Sequence, residues 1–493
     1  MSLINVTNLT FAYEGSYDNI FENVNFQIDT DWKLGFTGRN GRGKTTFLSL
    51  LLGKHEYSGN ISAHVSFEYF PFQVNNKELN TIDVISEIFP DYIHWKLMRE
   101  LSLLKVSEDV LYRPFDSLSN GEQTKVLLAT LFIKENSFLL IDEPTNHLDM
   151  TARKLVSDYL NSKSGYILVS HDRSFLDNCV DHILSINKTN IEIQKGNFSS
   201  WWENKVRQDN FELAEDEKLR RDIKRLSASS KRTGNWSHEV EKTKNGTRNS
   251  GSKLDKGYVG HKAAKMMKRS KAIEQRQQSA INEKSKLLKN IENSENLEIT
   301  QLAYHKRHLA ELDNVSVFYG EKRVCSEVSF TIEQGERIAL SGKNGSGKSS
   351  IIKLICGEDI DYTGTFTKDS QLIISYVSQD TSDLRGDLTD YARENGIDES
   401  LFKSILRKLD FSRIQFDKDI STYSGGQKKK VLIAKSLSEK AHLYIWDEPL
   451  NFIDVISRMQ IEELLLEYTP TFVFVEHDRE FCHNVATKII ELS

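Results

Sequence analysis

The chain has 493 residues, of which 38% are hydrophobic and 28% are charged, and its formal net charge is −6. This composition is typical of a soluble protein with several domains. No apolar run reaches 18 residues, which excludes a transmembrane helix, and the four cysteines are too far apart for a zinc site, an iron–sulfur cluster or a disulfide framework. Because the N-terminus also lacks a signal peptide, we expect a cytoplasmic protein without a membrane partner.

The chain contains an internal repeat. A glycine-rich stretch at residues 38–45 recurs at residues 342–349, and the other shared motifs recur 304 to 306 positions later in the chain. A nearly constant offset over such a length indicates two copies of one domain. We therefore predict a first domain at residues 1–200, a linker at 201–307 and a second domain at 308–493.

The repeated glycine-rich stretch matches the GxxxxGK[ST] pattern of a P-loop. In each copy an apolar strand-like run precedes it and an apolar helix-like run follows, which is the context that this motif requires. Backbone N–H groups of such a loop surround phosphates, the lysine neutralises them and the hydroxyl after it ligates Mg²⁺. The nucleotide-binding residues predicted in this way are Gly38, Asn40, Gly41, Gly43, Lys44, Thr45, Thr46, Gly342, Asn344, Gly345, Gly347, Lys348, Ser349 and Ser350, with Thr45 and Ser349 as metal ligands.

An acidic pair ends an apolar run in each copy. The pairs are Asp142-Glu143 and Asp447-Glu448. The aspartate of such a pair suits Mg²⁺ coordination, and the glutamate can polarise an attacking water. A lone pair of this kind is usually only the start of a loop, but here PTNHLD and PLNFID follow. We predict metal-binding roles for both aspartates and catalytic roles for both glutamates.

A further loop lies 24 residues before each catalytic glutamate, as LSNGEQ from Leu118 and as YSGGQ from Tyr423. With this loop the chain resembles the ATP-binding cassette superfamily, whose signature sequence is LSGGQ. The resemblance implies that the two cassettes of one monomer pair head to tail, so that each signature loop caps the ATP of the other copy. The residues concerned are Ser424, Gly425, Gly426 and Gln427 for ATP on Lys44, and Ser119 and Gly121 for ATP on Lys348.

The same resemblance assigns roles to three further pairs of residues. Tyr13 and Tyr319 occupy the position of an aromatic side chain that stacks on adenine. Gln73 and Gln379 match a glutamine that contacts Mg²⁺ and the γ-phosphate. His171 and His477 match the switch histidine, and each stands in a His-Asp-Arg context after an apolar run.

The linker is strongly basic. Between Lys205 and Lys289, 23 Lys and Arg residues outnumber 11 Asp and Glu residues, a net charge of +12, so the rest of the chain carries −18. Sparse helical stripes predict two long helices, and a run rich in Asn, Gly and Ser predicts a loop at their tip. Such a segment is either a solvated spacer or a binding element for an anionic partner. Candidate RNA contacts are Lys244, Arg248, Lys253, Lys256, Tyr258, Lys262, Lys265, Lys268 and Arg269, although Tyr258 can equally pack within the hairpin.

Tandem cassettes with such a linker are similar to the ABC-F family, whose members act on ribosomes. The segments that carry this resemblance are residues 142–149, 170–177 and 195–199. Within the family the chain looks most like the antibiotic-resistance group of the Lsa type, because the linker is long and residues 254–269 resemble that group's linker. The spacing from Gln73 to Ser119 is 46 residues and that from Gln379 to Ser424 is 45, which leaves little room for an extra arm in the first copy.

The resemblance implies an α/β protein with two P-loop cassettes joined by a long α-helical hairpin linker. It would hydrolyse ATP with Mg²⁺, bind the E site of the 70S ribosome and contact 23S rRNA and P-site tRNA. The linker would then distort that tRNA and dislodge lincosamides, streptogramin A compounds and pleuromutilins from the peptidyl-transferase centre.

Three other functions remain open at this stage. They are a housekeeping ABC-F translation factor, the ATPase subunit of a transporter and a non-enzymatic RNA-binding scaffold.

The sequence departs from the family pattern at Asn120 and Glu122, and at Leu450, Phe452 and Ile453. These departures predict that the two ATP sites differ in their rate of ATP hydrolysis.

Overall fold

The computed structural model describes residues 2–13, 19–134, 136–146, 148–186, 191–242, 256–287 and 297–492. The chain divides into two compact units. One unit comprises Met1–Ser199 and Ser294–Ser493 and contains both cassettes, and the other is Ser200–Asn293.

The first cassette is built from two β-sheets. The smaller sheet is antiparallel in the order β2-β1-β4, with the bounds β1 Leu3–Phe11, β2 Phe21–Asp29 and β4 Ser58–Ser62. The larger sheet has the order β5-β6-β7-β3-β8-β9 and is parallel except for its last pair. Its strands are β3 Lys33–Thr37, β5 Ser66–Phe70, β6 Ser137–Asp142, β7 Tyr166–Val169, β8 His182–Ile186 and β9 Ile191–Lys195.

Three helices of the first cassette begin at a residue whose side chain caps the helix N-terminus. Ser119, Asp149 and Asp172 each accept a hydrogen bond from a backbone N–H in the first turn of the helix that follows. These caps place signature and switch residues at helix starts. The helices are α1 Lys44–Leu51, α2 Thr81–Ile88, α3 His94–Leu103, α4 Asn120–Ile133, α5 Met150–Asn161 and α6 Arg173–Cys179.

The linker unit consists of two long helices. Helix α7 spans Phe198–Lys242 and α8 spans Lys256–Leu287. At 1.5 Å per residue, helices of 45 and 32 residues extend about 68 and 48 Å. Their presence agrees with the helical stripes seen in the sequence.

The second cassette repeats the plan of the first. Its antiparallel sheet has the order β11-β10-β13, with the bounds β10 His308–Tyr319, β11 Lys322–Glu333 and β13 Asp361–Lys368. Its parallel sheet has the order β14-β15-β16-β12-β17. The strands are β12 Arg337–Gly342, β14 Ile374–Val377, β15 Leu443–Asp447, β16 Phe472–Val475 and β17 Lys488–Leu492.

The helices of the second cassette follow the same order along the chain. They are α9 Lys348–Cys356, α10 Leu388–Glu394, α11 Glu399–Lys408, α12 Gly425–Ser438, α13 Val455–Tyr468 and α14 Arg479–Val485. The central strands β7 and β16 are apolar and buried along their whole length, as expected for strands of a parallel sheet that is covered on both faces. Trp446 shows the density of this core, since it is fully buried, packs edge-on against Phe472 and donates its indole N–H to Ser436 Oγ at 2.9 Å.

A short segment at residues 297–304 joins the core of the second cassette. Leu297 and Ile299 are buried among its hydrophobic residues, and Leu302 N donates to Ala441 O at 2.8 Å. From sequence these residues fall within the predicted linker, 201–307, because the segment is too short to show a helical or strand period. Apolar burial against β15 and α12 places it with the cassette instead.

Candidate active sites

The P-loop of the first cassette connects β3 to α1. Gly41 and Gly43 have φ of 82° and 95°, a backbone region that favours glycine, and Gly43 immediately precedes the helix. Lys44 Nζ donates to Gly38 O at 2.6 Å and lies 3.4 Å from Asn40 Oδ1. The lysine is thus held over its own loop, where a phosphate of a nucleotide would sit.

The second P-loop has the same geometry between β12 and α9. Gly345 and Gly347 have φ of 83° and 88°, and Lys348 Nζ donates to Gly342 O and Lys343 O at 2.9 and 2.7 Å. A Cβ on Gly345 would meet no atom within 4 Å. The backbone at this glycine therefore faces open space that can accept phosphate oxygens.

The aspartates predicted to bind metal end equivalent strands of the two parallel sheets. Asp142 is the last residue of β6 and accepts a hydrogen bond from Tyr69 OH at 3.0 Å. Asp447 ends β15 and is 1% exposed, and its Oδ1 has no hydrogen-bond partner among the described residues. A buried carboxylate oxygen without a donor is costly unless a cation or a proton satisfies it.

The hydroxyls next to the P-loop lysines complete these two acidic sites. Burial raises the pKa of Asp142 and Asp447, and the hydroxyls of Thr45 and Ser349 partly oppose this rise. Among the described residues no cluster of three or more His, Cys, Asp or Glu side chains could hold a metal ion alone. One carboxylate, one hydroxyl and phosphate oxygens suit Mg²⁺, which keeps few protein ligands in such sites. The residues present therefore fit ATP with Mg²⁺.

Both glutamates that we predict to be catalytic stand on a strained backbone at the strand end. Glu143 and Glu448 have φ of 50° and 46°, and their N–H groups donate to Val169 O and Val475 O at 2.9 and 3.0 Å. Positive φ is unusual for a residue with a side chain, and such strain is concentrated at functional sites. The turn aims each glutamate away from the aspartate that precedes it.

Each glutamate faces the switch histidine of its own cassette. His171 Nε2 lies 3.2 Å from Glu143 Oε1, and His477 Nε2 lies 3.3 Å from Glu448 Oε1. In the second cassette Gln379 Nε2 donates to Glu448 Oε2 at 2.8 Å, as does Asn451 Nδ2 at 2.7 Å. Gln73, the counterpart of Gln379, is exposed.

The two glutamates differ in their affinity for a proton. Burial and the nearby Asp142 raise the pKa of Glu143 to about 8. Burial would also raise the pKa of Glu448, but the hydrogen bonds from His477 and Gln379 and the charge on His477 bring it below its ordinary value. The same chemical group therefore works in two different electrostatic settings.

The signature loops begin α4 and α12 and fold in the same way. Ser424 and Gln427 form a capping box, in which each side chain bonds to the backbone of the other, and Ser119 and Glu122 form the equivalent box. Glu122 thus makes the bond that glutamine makes in the second loop. This hydrogen bond explains in physical terms why Glu122 can replace the glutamine of the family signature.

The cassettes meet head to tail. A cavity of about 660 Å³ is lined on one side by Ser119, Asn120 and Gly121 and on the other by the second P-loop, Gln379, Glu448 and His477. Asn40 of the first P-loop donates from Nδ2 to Phe452 O of the second cassette at 2.8 Å. We call the site of Lys44 and the second signature loop site 1, and the site of Lys348 and the first signature loop site 2.

The adenine-side tyrosines lie at the rims of these sites. Tyr13 and Tyr319 are 46% and 50% exposed, and Tyr13 OH hydrogen-bonds to Thr46 Oγ1 at 2.9 Å. Half-exposed rings can stack on a base. Stacking of both on adenine stays a prediction.

Two aspartates that cap α5 and α13 were not singled out from sequence. Asp149 lines the site 2 cavity, and Asp454 accepts from Lys430 Nζ at 2.8 Å while its charge also acts on Lys44. Each therefore contributes negative charge to the ATP site of the other cassette. The sequence contained a signal for these two aspartates, because the motifs PTNHLD and PLNFID both end in aspartate.

The predicted RNA contacts lie on or before α8. Lys244, Arg248 and Lys253 fall outside the described residues, and Lys256, Tyr258 and Lys262 fall within α8. Lys265, Lys268 and Arg269 are exposed on the same helix.

Among the described helices, none is long and apolar enough to cross a membrane.

Gly426 is a sterically restricted position of site 1. A Cβ there would lie 2.3 Å from Phe452 O and 3.1 Å from Asn40 Nδ2. In a Glu448→Gln background, which leaves site 1 as the hydrolysing site, we expect Gly426→Ala to lower ATPase turnover about tenfold, because overpacking costs ~1–3 kcal/mol. The matched control is Gly121→Ala in a Glu143→Gln background, which leaves site 2 as the hydrolysing site, because a Cβ on Gly121 would approach only Leu148 Cδ2, at 3.6 Å. Equal loss in both variants would contradict the steric argument.

Comparisons with known proteins agree with this geometry. The sequence pattern of the ABC transporter family matches residues 21–146 and 325–451. Ribosome protection protein VmlR of Bacillus subtilis is 28% identical over 501 residues, covering 100% of this chain and 87% of VmlR. ATP-binding protein Uup of Buchnera aphidicola is 28% identical over 526 residues, covering 99% and 80%. ABC transporter F family member 2 of Arabidopsis thaliana is 25% identical over 547 residues, covering 99% and 76%.

One solved structure shows the same fold across nearly the whole chain. The archaeal ribosome recycling factor aABCE1, in complex with the ribosomal stalk protein aP1, aligns with a TM-score of 0.62 and 17% identity over 98% of this chain and 87% of that one. Together with the family match, this likeness confirms the predicted fold class of two α/β P-loop cassettes.

Proposed function

Because the chain belongs to the ABC transporter family and is an ATP-hydrolysing enzyme with two nucleotide-binding domains, we propose that it is an ABC-F ATPase that acts on the ribosome. The observation that carries this proposal is the basic two-helix linker between two complete ATP sites. The function of a transport subunit would not explain a linker with a net charge of +12. A scaffold without activity would not need two sets of P-loop, acidic and histidine residues.

More specifically, we propose that it protects the bacterial ribosome from antibiotics. The linker would enter the E site, contact 23S rRNA and distort P-site tRNA, so that lincosamides, streptogramin A compounds and pleuromutilins leave the peptidyl-transferase centre. Exposed cations on α8 support an rRNA partner, because clustered Lys and Arg side chains bind phosphate backbones. The full-length similarity to a protein named for ribosome protection supports the same assignment.

The side chains of each site would divide the work of hydrolysis. When bound, ATP supplies the phosphoryl group that is transferred to water, and Mg²⁺ neutralises charge on its oxygens. Lys348 and the P-loop N–H groups would hold the phosphates, and Ser349 with Asp447 would hold the cation. Gln379 and Asn451 fix Glu448 Oε2, so the carboxylate is oriented to receive a proton from water.

Drug susceptibility tests this function directly. We expect that expressing the chain in a sensitive Gram-positive host raises the inhibitory concentrations of lincomycin, tiamulin and a streptogramin A compound. Unchanged inhibition by all three would contradict ribosome protection. A growth or translation defect on deletion of the gene, without drug effects, would instead favour a housekeeping translation factor, the second candidate.

Salt dependence tests the role of the linker cations. We expect the variant Lys265→Glu, Lys268→Glu, Arg269→Glu to bind ribosomes more weakly, and the slope of log K against log salt to fall by about 2 to 3, because each lost phosphate contact removes about one unit. The matched control reverses three exposed cations in the middle of α7: Lys218, Arg220 and Arg221. An equal effect in the control would indicate nonspecific charge attraction.

A further inference from the structure

The interface between the cassettes is asymmetric in charge. Because the cassettes are copies, each contact on the site 1 side has a counterpart position on the site 2 side, 304 to 306 residues away in the chain. Two arginines of the first cassette, Arg42 in the P-loop and Arg173 at the start of α6, bond to carboxylates of the second cassette. The counterpart positions carry no such pairs.

Arg173 makes the more buried of these contacts. Its Nη2 bonds to Glu462 on α13, with the two side chains only 8% and 9% exposed, and its Nε lies 3.5 Å from Glu480 on α14. Burial alone would lower the pKa of Arg173, but Asp478, Glu462 and Glu480 raise it overall. The guanidinium is therefore charged and enclosed by carboxylates of the opposite cassette.

On the site 2 side the counterpart of Arg173 is also an arginine, but the counterparts of its two glutamate partners are not acidic. Arg479 is the counterpart of Arg173, and Ser157 and Ser174 stand where Glu462 and Glu480 stand. All three line a cavity of about 430 Å³. The two serines cannot form an ion pair with Arg479, so within the described part of the chain the ion pairs of Arg173 have no counterpart on this side.

Arg42 repeats the pattern at the P-loop. Its Nη2 lies 3.4 Å from both carboxylate oxygens of Asp410, which follows α11 of the second cassette. The counterpart of Arg42 is Ser346, and the counterpart of Asp410 is Lys105. A serine and a lysine cannot form an ion pair, so the pair of Arg42 and Asp410 has no counterpart at these two positions of the site 2 side.

We propose that the ion pairs of Arg42 and Arg173 keep the site 1 side closed while the cassettes separate first at site 2. Nucleotide then leaves site 2 quickly and stays longer in site 1. Both arginines are positioning residues, because they act on the interface and not on the reacting atoms. The proposal concerns the ATPase cycle of the chain and does not depend on the ribosome as its partner.

Release of a fluorescent ATP analogue measures this difference. In the full-length Glu143→Gln/Glu448→Gln protein, which retains unhydrolysed nucleotide, we expect two release phases. Adding Lys44→Ala should remove the slow phase, and adding Lys348→Ala should remove the fast phase. A slow phase that belongs to site 2 would overturn the proposal.

The decisive variant gives the second cassette the residues of the first. Glu462→Ser with Glu480→Ser should accelerate the slow phase by about thirtyfold or more, since truncating a buried charge partner acts mainly on dissociation. The fast phase should not change. Equal acceleration of both phases, or none, would overturn the proposal, and thermal unfolding of the variant reports whether the fold is intact.

Reciprocal substitution keeps the test independent of a destabilised fold. Ser157→Glu with Ser174→Glu places carboxylates opposite Arg479 and should slow the fast phase. At the P-loop, Asp410→Ser should accelerate the slow phase, whereas Asp410→Glu keeps the negative charge opposite Arg42 and should leave slow release unchanged. Equal acceleration by Asp410→Glu and Asp410→Ser would contradict a role for Asp410 as the ion-pair partner of Arg42.

Discussion

Replacing Glu143 and Glu448 together by glutamine is expected to lower ATP turnover by about a hundredfold or more, because a positioned general base contributes about 10²–10⁴-fold. Glutamine keeps the shape and the hydrogen-bonding side chain but cannot accept a proton from water. The P-loop lysines, Thr45 and Ser349 are untouched, so ATP should bind as before. The variant would accumulate with ATP in both sites.

Turnover and binding must be measured separately to interpret this variant. Phosphate release gives turnover, and equilibrium binding of ATP gives affinity. With ribosomes present, we expect the ATP-bound variant to remain on them through sucrose-gradient sedimentation, and we expect it to give no drug protection. A variant that still cycles and protects would refute the assignment of both glutamates.

The single variants serve as internal controls. Glu143→Gln should leave hydrolysis at site 2, and Glu448→Gln should leave it at site 1. Because Gln379 and Asn451 hold Glu448 at 2.8 and 2.7 Å, we expect the site that retains Glu448 to turn over faster. Equal rates in the two single variants would contradict this ranking.

Deleting residues 245–257 and closing the gap with a short glycine–serine link is expected to abolish protection. The sequence predicts a loop between the two linker helices here, and the stretch carries Lys253 and Lys256, of which Lys256 is the first residue of α8. ATPase turnover should remain close to that of the full chain, because the ATP sites are built from residues of the cassettes alone. Inhibitory concentrations and phosphate release measure the two effects.

A matched control separates the loss of the tip from a general defect in the linker. Substituting residues 245–252 with glycine and serine keeps the length of the chain but removes Arg248, and it leaves Lys253 and Lys256 in place. If length alone matters, protection should persist in this control. Loss of ATPase in the deletion would show that tip and motor are not separable.

Much of each ATP site was predictable because its chemistry requires particular residues in a fixed order. Phosphate binding needs a P-loop after a strand, so Lys44 and Lys348 are recognisable from the sequence. The acidic pairs are recognisable for a similar reason, since they end apolar runs. The cavity shared by the second P-loop and the first signature loop agrees with the head-to-tail pairing that the family resemblance implies.

Contacts across the interface were not predictable in the same way. Arg173 bonds to Glu462, which lies 289 residues away, and no local period or spacing signals such a pair. Asn40 reaches a backbone carbonyl, that of Phe452, and a carbonyl leaves no trace in the sequence. The offset between the two copies shows that the acidic partners of Arg42 and Arg173 have no acidic counterparts, since Lys105, Ser157 and Ser174 occupy those positions.

The segment at residues 297–304 has a mechanical consequence. Gln301 Nε2 donates to His442 O and to Thr471 Oγ1 at 3.2 and 2.7 Å, and Tyr444 OH donates to Thr300 O at 3.1 Å. These bonds fasten the segment to the beginnings of β15 and β16. A pulling force transmitted along the chain to residue 297 would therefore act on β15, the strand that ends in Asp447. The strand that positions a predicted metal ligand of the ATP site would then also carry this force.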